Sequence, residues 1–133
     1  MKKNKTVVFI LIVVCVLILT GCDKKIGIGS KNLFNTYYGI DTTKAKKYAP
    51  KYEILGDENS GFVIIDEKAG FSLVLSYSKE RVDQVIVFYT SSSDNKKQAQ
   101  LMLDPPSDAT CHEIDGSLWG RGVMQYICYK RNK

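Results

Sequence analysis

Three consecutive strand-like runs between Phe62 and Thr90 constrain the fold more than any other part of the chain. In the middle run Phe71, Leu73, Leu75 and Tyr77 alternate with Ser72, Val74, Ser76 and Ser78. A period of two presents one apolar face only when the chain is extended, so this is a half-buried strand. Phe62–Asp66 is the strand before it and Val82–Thr90 the strand after. In the last, Val85, Val87 and Tyr89 share one face, while Val82, Ile86 and Phe88 share the other. Apolar residues on both faces predict a central strand covered on both sides. The connections Glu67-Lys68-Ala69-Gly70 and Lys79-Glu80-Arg81 are short, which makes the three strands an antiparallel meander.

The flanks add helices and a second hairpin. Leu33, Phe34, Tyr37 and Tyr38 have helix-like spacing and stop at Gly39. Asp41 or Thr42 caps a helix to about Tyr48, which Pro50 stops. Tyr52–Leu55 is a short strand before the turn-forming residues 56–61. Ser91-Ser92-Ser93-Asp94 opens a helix through Leu103, closed by Pro105-Pro106, with Ala99, Leu101, Met102 and Leu103 as its buried candidates. Thr110–Ile114 and Gly122–Lys130 form a last hairpin about a turn at Asp115-Gly116. The expected fold is α+β: a small antiparallel sheet, built from the meander at 62–90 and the C-terminal hairpin, with two or three short helices.

The N-terminus follows a different logic. Lys2, Lys3 and Lys5 precede 13 residues, Val7–Leu19, whose only polar group is the Cys15 thiol. A membrane-crossing helix needs about 18–20 apolar residues; the apolar part of a secretion signal needs about 7–15. Leu19-Thr20-Gly21-Cys22 follows at once, two small residues that fit a peptidase cleft and then a thiol nucleophile. Residues 1–22 thus resemble the signal and lipobox of bacterial lipoproteins. The resemblance implies cleavage before Cys22, acylation of Cys22, and a membrane-anchored chain facing the periplasm. It also implies three segments: a signal peptide at 1–21, a lipidated tether at 22–32 and one domain at 33–133. In enteric bacteria an Asp after the acylated cysteine, here Asp23, favours the inner over the outer membrane.

Loss of the signal removes three lysines and takes the net charge from +5 to +2. Most of the remaining excess lies in the tether (Lys24, Lys25, Lys31) and the tail (Lys130, Arg131, Lys133), with no continuous basic stripe for nucleic acid. Cys111 and Cys128 remain as an even pair in an exported domain, which predicts a disulfide. A metal site from Cys111, His112 and Cys128 is the rival, but neighbours on a strand point to opposite faces. The pattern calls for neither a metal nor a cofactor.

The inventory also points away from an enzyme. His112 is the only histidine. The chain has no nucleophile elbow, metalloprotease motif or phosphate-binding loop. The carboxylate pairs Asp57/Glu58 and Asp66/Glu67 fall in predicted turns, where solvated charge is their ordinary role. Binding chemistry is better represented. Eight tyrosines is rich for this length, among them Tyr37, Tyr38, Tyr48, Tyr52, Tyr126 and Tyr129. The segment Ser117-Leu118-Trp119-Gly120-Arg121-Gly122 presents Trp and Arg, the types most enriched at binding hot spots. Leu118, Trp119, Arg121 and Tyr126 are therefore the candidate partner-binding residues.

Gly39-Ile40-Asp41-Thr42-Thr43-Lys44-Ala45, followed by hairpin strands, resembles at a few positions the small lipoproteins of outer-membrane protein assembly, the SmpA/OmlA type. The disulfide hairpin after the later helix is not part of that pattern. The expectation is a lipid-anchored, protein-binding accessory subunit of an envelope complex. The alternative is an inhibitor, immunity or exclusion lipoprotein that neutralises a foreign enzyme, toxin or incoming element.

Overall fold

The computed structural model describes residues 25–131. Cys22, the expected lipidation site, and the expected signal at 1–21 lie outside the described residues. The elements are α1 (Leu33–Tyr37), α2 (Thr42–Tyr48), β1 (Glu53–Gly56), β2 (Ser60–Lys68), β3 (Phe71–Ser78), β4 (Arg81–Thr90), α3 (Ser93–Leu103), β5 (Ala109–Asp115) and β6 (Val123–Lys130). The six strands form one open antiparallel sheet in the order β1-β2-β3-β4-β6-β5. The fold is α+β, as the patterning predicts. Among the described residues no helix is long and apolar enough to cross a membrane.

Local chemistry sets the helix ends. The Asp41 carboxylate accepts from the Thr43 N–H at 2.7 Å and caps α2. The Ser92 hydroxyl accepts from Asn95 N–H at 3.0 Å and caps α3. Asp104, in the left-handed region at φ 42°, ends α3 just before the two prolines.

All three helices contribute to one face of the sheet, and the main core lies between. It contains Leu33, Phe34 and Tyr37 of α1, Ala45 of α2, Ala99, Met102 and Leu103 of α3, and the sheet residues Val63, Ile65, Leu73, Leu75, Val82, Val85, Val87, Tyr89 and Cys128. Leu101, expected to be buried, is 57% exposed because α3 turns it away from the sheet. Among the described residues the other face of the sheet has no element over it except the loop at 117–122. The two-sided cover expected for β4 is thus only half present.

Two β-bulges decide which side chains reach the helix side. Ile65 is an extra residue in β2 between the pairs Ile64↔Val74 and Asp66↔Leu73. Both Val63 and Ile65 therefore enter the core, and Asp66 is turned beneath the helices instead of lying in a turn. Asp83 is an extra residue in β4 between Val82↔Tyr77 and Gln84↔Ser76. It moves Val82 off the face of Ile86 and Phe88, where plain alternation places it, and into the helix-side core.

The reoriented Asp66 holds the segment before α1. One carboxylate oxygen accepts from Ile28 N–H at 2.7 Å. Ile26 N–H donates to Tyr48 O at 2.7 Å, the Tyr37 hydroxyl donates to Ile26 O, and Lys25 Nζ donates to Lys47 O at 3.0 Å. Ile26 and Ile28 pack against the core. Residues 25–28, expected to belong to a flexible tether, are instead the first layer of the domain. Gly27 permits the close approach: a methyl there would collide with Asp66 Oδ2 and lie 2.8 Å from Pro50 Cγ. Gly27→Ala is expected to lower stability by about 1–3 kcal/mol, the usual cost of overpacking. Limited trypsin digestion of the variant should show faster cleavage after Lys25 and Lys31.

Candidate functional site

The uncovered face of the sheet carries the candidate site. Its centre is a second apolar cluster of Val74, Ile86 and Phe88, with Ile64, Val123 and Ile127 packed round it. Alternation and register place Leu55, Phe62, Ser72, Ser76, Gln84, Gln125, His112 and Ile114 on this same face. The polar groups there are mostly neutral serine and glutamine. Carboxylates enter only toward the β1–β2 side, where Glu53 and Glu67 share Lys51 at 3.8 and 3.0 Å.

The loop between β5 and β6 folds over one end of this face. Asp115 accepts from Ser117 N–H at 2.9 Å and starts a single 3-10 turn, Ser117–Trp119. Gly116 N–H donates to Val123 O at 2.9 Å and Ser91 N–H donates to Gly122 O at 2.7 Å. The loop is thus fixed to both β6 and the end of β4. Gly122 takes φ 74°, a conformation that a side chain would strain. The Trp119 ring lies on Phe88 with centroids 5.3 Å apart and stays 53% exposed. Beneath it a cleft of about 210 Å3 is lined by Ile64, Val74, Phe88, Trp119 and Val123, with Ser72, Thr90 and the carboxylate of Glu67 among its polar groups. Leu118 projects from the turn, 100% exposed.

The structure brings Leu118, Trp119 and Arg121 together in this loop. Arg121 is exposed and makes no ion pair among the described residues. It separates Tyr126 from them: Tyr126 pairs with Val87 and packs on the helix-side core, its hydroxyl 3.4 Å from Gln100 Nε2. Tyr126 is a core-edge residue and leaves the candidate site. Most other tyrosines serve the core as well, with Tyr37, Tyr77 and Tyr89 buried. Phe62, 40% exposed, and Ile114 were absent from the sequence-level site. Their signal was strand parity: Phe62 shares the face of Ile64, and Ile114 that of His112.

Cys111 and Cys128 are directly paired across β5 and β6, Cα atoms 4.2 Å apart, and are joined by a disulfide on the helix side. His112 points the other way, 3.1 Å from the Tyr129 hydroxyl. Cys111 and His112 therefore do not meet. Among the described residues no group of three His, Cys, Asp or Glu side chains could hold a metal ion.

A polar bracket on the helix side stabilises the hairpin that carries the loop. Glu113 Oε2 accepts from the Tyr89 hydroxyl at 2.8 Å and pairs with Lys96 Nζ at 3.1 Å, joining β5, β4 and α3. The Tyr89 bond, then Lys96, holds the Glu113 carboxyl below its ordinary value of 4.5. Burial, then the Glu113 bond, pushes the Tyr89 hydroxyl up. Backbone N–H donors likewise lower Asp41 and Asp57. A carboxyl with a lowered folded value stabilises above its unfolded value and loses that contribution as pH falls through the folded one. The urea midpoint should therefore drop as pH falls below about 4.5. Glu113→Gln should flatten part of that drop, and equal slopes in both proteins would remove Glu113 from the account.

A larger groove of about 600 Å3 lies on the helix side, between residues 28–31, the β2–β3 turn and the end of α3. Ile28, Phe71, Leu101 and Met102 give it an apolar floor, with Lys31 and Lys68 at its rim. Comparison of the chain with protein-family models, with curated proteins and with solved structures finds no match.

Proposed function

We propose that this chain is a lipid-anchored extracytoplasmic protein that acts as a small protein-binding accessory subunit of a cell-envelope complex. The observation that carries the binding role is the open sheet face. Among the described residues, five of the seven large exposed apolar side chains, Leu55, Phe62, Ile114, Leu118 and Trp119, lie on that face or in the loop over it. Apolar side chains spread over one sheet face, joined through the Val74, Ile86 and Phe88 cluster and interspersed with polar ones, are the usual composition of a protein interface. A half-exposed Trp fixed on a Phe is a pre-organised anchor, since its rotamer is already set before binding. The anchoring role rests on the lipobox at Leu19–Cys22.

The fully exposed Leu118 at the tip of a fixed turn favours a second reading. Such a tip suits insertion into the cleft of a foreign enzyme or toxin, as an inhibitor or immunity lipoprotein would use it. Affinity capture from gently solubilised envelopes, with Cys22→Ala beside the natural chain, separates the two. The accessory-subunit reading expects a fixed set of membrane-complex subunits with the anchored form only. A monomer that captures nothing endogenous supports the inhibitor reading instead.

A further inference from the structure

The first layer of the domain has a charge pattern of which the binding face takes up Lys51 alone. Residues 25–52 contain six lysines, Lys25, Lys31, Lys44, Lys46, Lys47 and Lys51, against the single acid Asp41. Only Lys51 of the six is in an ion pair among the described residues. The next 15 residues, 53–67, reverse this with five acids and no base. Positive charge is thus gathered on the first layer of the domain, segment 25–32 with α1 and α2. That layer also adjoins the apolar groove, where Leu101 is exposed between Lys31 and Lys68.

The position of this layer relative to the lipid follows from chain length. Two residues, Asp23 and Lys24, lie between Cys22 and Lys25, and the three Cα steps span at most about 11 Å of extended chain. Lys25 is itself hydrogen-bonded to Lys47 O, and Ile26 to Tyr48 O. The C-terminal end of α2 is therefore held within roughly one Debye length, about 8–10 Å in physiological salt, of the end of that reach. Even at full extension these lysines stay within about two Debye lengths of the bilayer, and a shorter tether brings them into the range where an anionic surface attracts them.

We infer that the helix side is a second interaction surface, for anionic lipid. Lys25, Lys31, Lys44, Lys46 and Lys47 lie against the membrane that holds the acyl anchor, and the sheet face with Trp119 is turned away from it. This rests on the lipid anchor proposed above. It adds an orientation: a pinned anchor and a basic layer present the binding face outward, toward a partner standing above the bilayer.

The test uses the full lipidated chain in phosphatidylglycerol vesicles, with a fluorophore on one introduced thiol at a time, Asn35→Cys on α1 or Ser78→Cys at the end of β3. Mass spectrometry first shows whether Cys22 is acylated. With acylation present, a nitroxide in the lipid headgroups should quench the Asn35 probe several-fold more than the Ser78 probe. The difference should vanish in phosphatidylcholine, at about 1 M salt, where the Debye length is ~3 Å, and in the Lys44→Glu/Lys46→Glu/Lys47→Glu variant. Equal quenching at low salt on an acylated chain overturns the orientation and leaves the anchor standing. A bias that survives salt and charge reversal overturns its electrostatic cause. A Cys22 without acyl chains overturns the anchor and the orientation together.

Discussion

The double replacement Cys111→Ala/Cys128→Ala should lower the unfolding free energy by about 3 kcal/mol. The closed loop spans a sequence separation of 17, and in the chain-entropy account its cross-link restricts the unfolded chain. At roughly 4–8 °C per kcal/mol for a domain of this size, the melting temperature should fall by more than about 10 °C. The loss should be concentrated where β5 has least support. Among the described residues β5 is an edge strand, paired only with β6, and the disulfide bolts it there. Its amides should show the largest rise in hydrogen exchange, with those of β2 and β3 least changed. The Trp119 loop, carried between β5 and β6, should loosen with it, visible as a shift in tryptophan emission. Thermal melts and exchange profiles of oxidised, reduced and double-alanine protein check this. A fall under 1 kcal/mol on the same chain-entropy scale would mean that the unfolded chain is hardly constrained by the bond.

Phe34→Ala should cost about 3–5 kcal/mol, the range for deleting a buried phenylalanine ring. α1 has five residues, too few to form without packing. Leu33, Phe34 and Tyr37 tie it to the core, with Phe34 only 1% exposed. The Phe34 ring also stacks on Tyr38 at 4.8 Å, and the Tyr38 hydroxyl reaches Lys130 O at 3.2 Å. Removing the ring therefore loosens α1 from α3 and frees the end of β6. Phe62→Ala is the contrast. Its ring is partly exposed on the open face, so its loss should stay within about 0.5–1 kcal/mol while partner capture falls. Urea denaturation of the two variants shows which phenylalanine serves folding and which serves binding.

The meander was legible because Phe71–Ser78 alternates and the runs on either side are rich in β-branched and aromatic residues with short turns between them. Phe71–Ser78 has the predicted bounds, and β4 begins one residue before the expected Val82. The bulges were not legible. One extra residue at Asp83 or Ile65 costs the sequence no visible break, yet it reverses the facing of Val82 and Asp66. The tether was misjudged for a related reason: Ile26-Gly27-Ile28-Gly29 has linker composition, but Ile26 and Ile28 are spaced to face one side of an extended chain, and Gly27 is small because Asp66 and Pro50 are close. Apolar residues on both faces of β4 suggested a layer over each. The second face instead buries Ile86 and Phe88 among their own sheet neighbours and Trp119. At the candidate site the loop residues were visible by type, whereas the company they keep was a matter of strand parity. That parity removed Tyr126 and added Phe62 and Ile114.

The central claim is that the open sheet face, with Trp119, is where a protein partner binds. A photo-crosslinking amino acid placed in living cells at Phe62, at Trp119 and, on the opposite side, at Gln98 tests it directly. The account predicts the same discrete protein adduct from positions 62 and 119 and none from position 98. An adduct from position 98 with none from 62 or 119 would contradict it.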